Sequence, residues 1–357
     1  MAVDIPAQIA HNNVARDILE HFSKTARVLP WRNPPGAVLP LDDPNWPYRV
    51  WLSEIMLQQT TVAAVIPYFE RFTSRWPSVA ALAAADDADV MAAWAGLGYY
   101  ARARNLLACA RAVVAQRGAF PGDEAELRAL PGVGAYTAAA IAAFAFGKRA
   151  VVVDGNIQRV VARLFAIETP MPAARREIYA AADMLTPQSR AGDFAQGLMD
   201  LGRSLCLPRA PRCLLCPVAD ACCGKQDAER YPVKPAKTIR PERTGVAWWV
   251  QHEGKVNLVR RPDKGLLGGM RGLPSGGWQR GDSLLPPCEG DWQDGGSIVH
   301  IFTHFRLTLS IRILKIEKSC IVPLGGEWWD IARLDQAGLP SLFTKAAARA
   351  TTWEIEA

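Results

Sequence analysis

Four cysteines fall within the 17 residues "CLPRAPRCLLCPVADAC": Cys206, Cys213, Cys216 and Cys222, separated by six, two and five residues. Thiolate-only donors at this density point to a metal centre, either zinc or an iron–sulfur cluster, and spacing alone does not choose between them. Paired zinc sites more often show two C-x-x-C pairs around a longer insert; only one such pair stands here. Cys223 directly follows the fourth thiol and is an alternative ligand. Arg203, Arg209, Arg212 and Lys225 flank the loop, where cations either face solvent or meet phosphates.

Two carboxylates carry a second kind of chemistry. In "WLSEIMLQQ", a helix gives Glu54 the neighbours Val50, Trp51, Leu57 and Gln58. A carboxyl on so apolar a face keeps its proton to higher pH, which suits a general acid; the plainer reading is a solvated or ion-paired glutamate. In "AVVVDGNIQRVVARLF", a short apolar run leads through Asp154 and Asn156 into a helical pattern. Either side chain can cap that helix, and the helix start favours an anion. A retained proton beside a fixed negative charge is what cleavage of an N-glycosidic bond needs. The proton goes to the departing base, and the anion faces an oxocarbenium-like sugar. In "LPGVGAYT", Gly132 and Gly134 precede a helix whose free N–H groups favour phosphate; helix-turn packing is the competing explanation.

The elements that must position these groups are mostly helical. Ala, Leu, Arg and Glu dominate residues 8–205, and the spacing predicts helices over 48–59, 62–75, 86–95, 99–117, 135–146, 156–167, 173–186 and 193–206. A Pro- and charge-rich stretch, 230–243, reads as a linker between a helical domain over 1–229 and a domain over 244–357. The latter alternates apolar and polar residues in strand fashion. The 357 residues are half hydrophobic, enough for two cores. Net charge is +6; residues 244–357 carry 13 basic and 12 acidic side chains, leaving 28 against 23 in the remainder. A mildly basic first part permits a polyanionic partner. The start lacks a basic region followed by an apolar run, and there is no uninterrupted apolar stretch of about 18 residues, so neither a secretory signal nor a membrane span is expected. A cytoplasmic location follows as the expectation, and there eight cysteines suit a metal better than disulfides.

The glycine hairpin and the cysteine loop together resemble the helix–hairpin–helix DNA glycosylases of the endonuclease III superfamily. The stretches "WLSEIMLQQTTVAAVIPYFERF", "WAGLGYYARARNL", "LPGVGAYT", "VDGNIQRVVARLF" and "MDLGRSLC" narrow the resemblance to MutY-type adenine DNA glycosylases. That resemblance implies an all-α glycosylase domain followed by an α+β MutT-like (Nudix) domain. It implies hydrolytic removal of adenine paired with 8-oxoguanine or guanine, on duplex DNA, by a monomer. Glu54 would protonate adenine. Asp154 would stabilise the sugar cation, as an ion pair or through a covalent intermediate, with Tyr136 and Asn156 assisting. Members that cleave the DNA backbone carry a lysine where Tyr136 stands, and a phenol cannot form a Schiff base. Gln59 matches a residue wedged into the base stack, Tyr99 one inserted beside the lesion, and Thr60 and Leu97 lesion-side contacts. The four cysteines match the ligands of a [4Fe–4S] cluster that shapes a DNA-contacting surface with Arg209 and Arg212. One departure stands out: the segment 33–45, "NPPGAVLPLDDPN", is longer than the link usual in the family.

In the second domain, "RRPDKGLLGGMRGLPSGGW" resembles the Nudix-type fold, but residues 276–297 supply only Glu289, not the glutamate cluster that holds divalent metal in a hydrolase. Recognition of the lesion is expected instead, through Phe302, Thr303 and His304 in "HIFTHFRL". Two rivals remain. A thymine-mismatch or bifunctional endonuclease III-like enzyme is disfavoured by the missing lysine and the added domain. A non-catalytic DNA-binding iron–sulfur protein is disfavoured by the presence of both Glu54 and Asp154.

Overall fold

The helical texture of the first two-thirds becomes eleven α-helices among the described residues: α1 (His11–Thr25), α2 (Trp46–Leu57), α3 (Val62–Arg75), α4 (Val79–Ala83), α5 (Asp87–Trp94), α6 (Tyr100–Gln116), α7 (Glu124–Arg128), α8 (Ala135–Phe146), α9 (Gly155–Leu164), α10 (Arg175–Leu185) and α11 (Ala191–Ser204). The structure, a computed structural model, describes residues 11–235, 240–262, 266–278, 284–302, 304–316 and 326–356. The chain divides into two compact units, Met1–Ala236 and Lys237–Ala357.

All eight helices expected from periodicity form, with ends shifted by a few residues. Helices α1, α4 and α7 are additional. Helix α2 starts on Pro47 in its first turn and is buried on nearly every side, from Trp46 and Tyr48 through Trp51, Leu52, Glu54 and Met56. It packs on α8, whose run of alanines lets the two backbones come close. Gly202 on α11 is required by such an approach: a Cβ there would stand 2.8 Å from Cβ of Asn156. The segment 230–243 is less of a linker than its composition suggests. Tyr231 is buried in the first core, and the Val233 carbonyl accepts from the Met171 N–H at 2.9 Å.

Among the described residues the second unit forms a seven-stranded sheet: β1 (Glu242–His252), β2 (Lys255–Arg260), β3 (Arg271–Gly272), β4 (Ser275–Gly276), β5 (Gln293–Ile301), β6 (Arg306–Lys315) and β7 (Gly326–Asp330). The order is β3-β2-β1-β6-β5, with β4 on β1 and β7 on β2. Strands β1 and β6 are parallel over ten residues, from Glu242 opposite Arg306 to Gln251 opposite Lys315; the other pairs are antiparallel. Leu307, Leu309, Ile311 and Trp249 face Phe343 and Ala346 of a closing helix, α12 (Ser341–Glu356). The period-2 pattern thus sets one buried face of the sheet, and α12 covers it.

Candidate active site

Helices α2, α8 and α9 bring Glu54, Tyr136, Asp154 and Asn156 to the wall of one cavity of about 680 Å³. Each residue has a local reason to be there. Glu54 sits on the all-round-buried α2 and is 7% exposed. Its carboxyl is pushed up to about 7, first by burial; a hydrogen bond from Tyr136 opposes the shift, the Asp154 charge adds to it, and Arg32 opposes it. Tyr136 follows the hairpin as the second residue of α8. Burial, then the charges of Glu54 and Asp154, hold its phenol well above the usual range, so it stays a donor. Asp154 caps α9: Oδ1 accepts from the Ile157 N–H at 2.7 Å and Oδ2 from Asn156 Nδ2 at 2.8 Å. Asp154, and not Asn156, is therefore the cap; Asn156 orients the cap's second oxygen. Neutral acid, phenol donor and helix-capping carboxylate line the same space, which suits protonation of a leaving group on one side of a bond and stabilisation of a cation on the other.

Two arginines that the sequence reading missed, Arg27 and Arg32, line the same cavity, and a third missed group, Asp200, holds both. Asp200 on α11 accepts from Arg27 at 2.5 Å and from Arg32 at 2.6 Å. Burial would raise its carboxyl, but the Arg32 and Arg27 bonds and charges outweigh it and hold it below the usual range. Its signal was the burial stripe Phe194–Gly197–Leu198–Leu201, on which an acid must find a partner. The partners are distant in sequence and could not be read.

The cysteine loop is attached to the same helix as Asp154. Arg159 Nη2 donates to Asn156 Oδ1 (3.0 Å) and the Gly202 carbonyl (2.6 Å), while its Nε donates to the Cys206 carbonyl (2.9 Å). The buried Arg163 donates to Cys206 Sγ at 3.3 Å and to the Leu207 carbonyl at 2.6 Å. The four expected thiols lie in one short loop, near enough that Cys206, Cys213 and Cys216 all act electrostatically on Cys222. Burial pushes Cys222 up to about 12 and Cys216 to about 11; backbone N–H groups of Gly224 and Val218 oppose this, and the neighbouring thiols add to it. Cys223 instead turns its Sγ to the Ala221 carbonyl at 4.0 Å. Among the described residues, no three His, Cys, Asp or Glu side chains converge as ligands of a single metal ion. Four half-buried thiols with guanidinium support fit, as a donor set, an all-thiolate cluster.

The expected DNA-facing residues divide. Gln59 is exposed with φ +58°, and Tyr99 is 61% exposed with φ +51°. Thr60 is half-buried on the cavity wall. The Leu97 side chain is 6% exposed, in the core of the first unit. Gly132 has φ +74°, and a Cβ there would meet Asn105 at 2.8 Å; Gly134 begins α8 with nothing within 4 Å. Arg209 and Arg212 are exposed. Phe302 is packed within the second unit. It stacks on Trp278 (5.9 Å, 16°) and touches Phe305 (4.7 Å), because its N–H closes a turn onto the Phe305 carbonyl. His304 is exposed at that turn; Thr303 lies outside the described residues. The long segment 33–45 lines the cavity with Asn33, Gly36, Ala37 and Leu39, and the Gly36 N–H is fixed by Asp193 at 2.9 Å.

Comparison with known proteins agrees with this architecture. The HhH-GPD superfamily of base excision DNA repair proteins matches residues 52–182, and the NUDIX domain matches 245–349. Adenine DNA glycosylase from Homo sapiens is 32% identical over 87% of this chain and 69% of its own length. That from Schizosaccharomyces pombe is 31% identical over 95% of this chain and 89% of its own. The chain belongs to the adenine DNA glycosylase family. It is a DNA glycosylase, an enzyme that hydrolyses N-glycosyl bonds in base excision repair. Among solved structures, a thermostable thymine-DNA glycosylase aligns with a TM-score of 0.54 at 28% identity, covering 60% of this chain and 96% of that one. An endonuclease III–DNA complex, TM-score 0.52 at 21% identity over 63% of this chain and all of its own, shares the fold of the first unit. No helix among the described residues of this glycosylase is long and apolar enough to cross a membrane.

Proposed function

We propose that this glycosylase removes adenine mispaired with 8-oxoguanine or guanine in duplex DNA, by hydrolysis and without backbone cleavage. The observation that carries the reading is the meeting of Glu54, Tyr136 and Asp154 in one cavity. An adenine inside a duplex cannot reach such a cavity, so the base leaves the stack. Glu54, whose carboxyl titrates at about 7, gives its proton to a ring nitrogen of adenine. The C1′–N bond then breaks, with its electron pair leaving on the neutral base. Asp154, anchored by the Ile157 N–H and Asn156, faces the sugar cation. A water adds to C1′ and its proton returns to Glu54, closing the cycle. Tyr136 donates to Glu54 and has no amine, so no Schiff base with the sugar forms there.

Arg209 and Arg212 meet phosphates next to the cysteine loop. Cys206, Cys213, Cys216 and Cys222 would hold a [4Fe–4S] cluster, which would supply a rigid cross-link and no electron to the reaction. The second unit reads 8-oxoguanine at the β5–β6 turn through His304 and Thr303, with Phe302 as the packed base of that turn. The test is a panel of duplexes with adenine opposite 8-oxoguanine, guanine, cytosine or thymine. Alkali-labile sites should form at adenine opposite the first two. Release of a different base, or strand cleavage without alkali, would contradict the reading.

A further inference from the structure

We propose that Arg102 is a positioning residue, one guanidinium that ties the end of the Glu54 helix to both loops that carry Gln59 and Tyr99. The proposal rests on the glycosylase reading above and adds a residue to it. Helix α2 ends at Leu57, so the carbonyls of its last turn lack partners within the helix. Arg102, on α6, supplies them: Nη1 donates to the carbonyl oxygens of Ile55 (3.2 Å), Met56 (2.9 Å) and Gln58 (2.5 Å). Its other nitrogen, Nη2, donates to Thr60 Oγ1 (3.1 Å) and to the carbonyls of Leu97 (3.0 Å) and Gly98 (3.4 Å). These partners bracket the two left-handed residues. Gln58 and Thr60 flank Gln59, while Leu97 and Gly98 precede Tyr99. Residues with a Cβ hold such a backbone only where their surroundings impose it. The guanidinium carbon also lies 5.4 Å from the ring centroids of both Tyr99 and Trp94. A planar fork with five donors spans three segments at once; a lysine ammonium does not. Displacement of either exposed loop by DNA is therefore transmitted to the last turn of the helix bearing the acid.

The test is Arg102→Lys in the full chain, read by hydrogen exchange and by single-turnover excision of mispaired adenine. Amides of 58–60 and 97–99 should exchange faster together, by about tenfold, while α8 and α9 keep their protection. Excision should slow by roughly 10- to 100-fold, the scale of a 1 Å misplacement of reacting groups. Its pH midpoint should not move, because Arg102 is not among the groups acting on Glu54. Exchange altered at neither loop or at only one, or excision within about threefold of wild type, overturns the proposal. If the lysine variant does not fold, Thr60→Val removes the hydroxyl that Nη2 reaches, which also donates to the Gln58 carbonyl at 3.2 Å. Excision together with exchange at 97–99, which Arg102 links to Thr60, then decides. The variant should speed exchange at 97–99 and slow excision, and no change in either overturns the proposal. Should the wild-type protein release no adenine at all, the glycosylase reading fails, while the exchange pattern still decides the role of Arg102.

Discussion

In the proposed mechanism Glu54 carries both the activity and its cost. Its carboxyl titrates at about 7 in the fold, against an ordinary 4.5. A group raised in this way contributes stability that is complete below about 4.5 and is lost as pH rises through about 7. Glu54→Gln cannot ionise, so it should exceed the wild type in stability at pH 8 by up to about 3 kcal/mol, with the gap closing at pH 5. Urea denaturation at the two pH values measures this, and an equal difference at both would contradict it. Asp200 acts on the same titration at one remove. It neutralises Arg32, whose charge otherwise lowers Glu54. Asp200→Asn should therefore move the alkaline limb of the excision rate to lower pH, with the acid limb in place. A limb that stays put, or moves up, would show that Asp200 serves the fold alone.

At the scale of elements, helix α9 joins Asp154 at its start to the cysteine loop through Arg159 and Arg163. The loop presents Arg209 and Arg212 to solvent. Replacing both with alanine should weaken binding to matched and mismatched duplexes alike and flatten the salt dependence by about two phosphate contacts, measurable by titration at several salt concentrations. Loss confined to the mispair would contradict a phosphate role. Much of this scale was legible in the sequence because it is local. Periodicity marks α2 and α9, Asp154 stands where a cap belongs, and four thiols in one short loop need no tertiary knowledge. What was not legible is non-local. Arg102 and Asp200 act on partners about 40 to 170 positions away, and nothing in their own neighbourhoods names those partners. The packing of Leu97 and Phe302 was not legible for the same reason. Motif position suggested contact with DNA, while packing against Trp278 and the first core decides where the side chains go.

The chain folds as two compact units, and the division sets where it can be cut. Tyr231 and Val233 belong to the first unit, so a truncation should follow residue 236 and not 230. Residues 1–236 should still excise adenine but lose preference for 8-oxoguanine over guanine as the opposite base. The full chain with Thr303→Ala and His304→Ala should do the same, within the roughly 5- to 150-fold that one good base contact supplies. Full preference in both proteins under single-turnover conditions would assign lesion reading to the first unit. The most direct test of the whole account is the single-turnover rate of adenine release from an A:8-oxoguanine duplex between pH 5 and 9, for the wild type and Glu54→Gln. The account predicts a wild-type rate that falls above about pH 7 as Glu54 loses its proton. It also predicts an inactive Glu54→Gln that binds the duplex about as well as the wild type. A Glu54→Gln protein that releases adenine at a near wild-type rate, with the same fall above neutral pH, would contradict it.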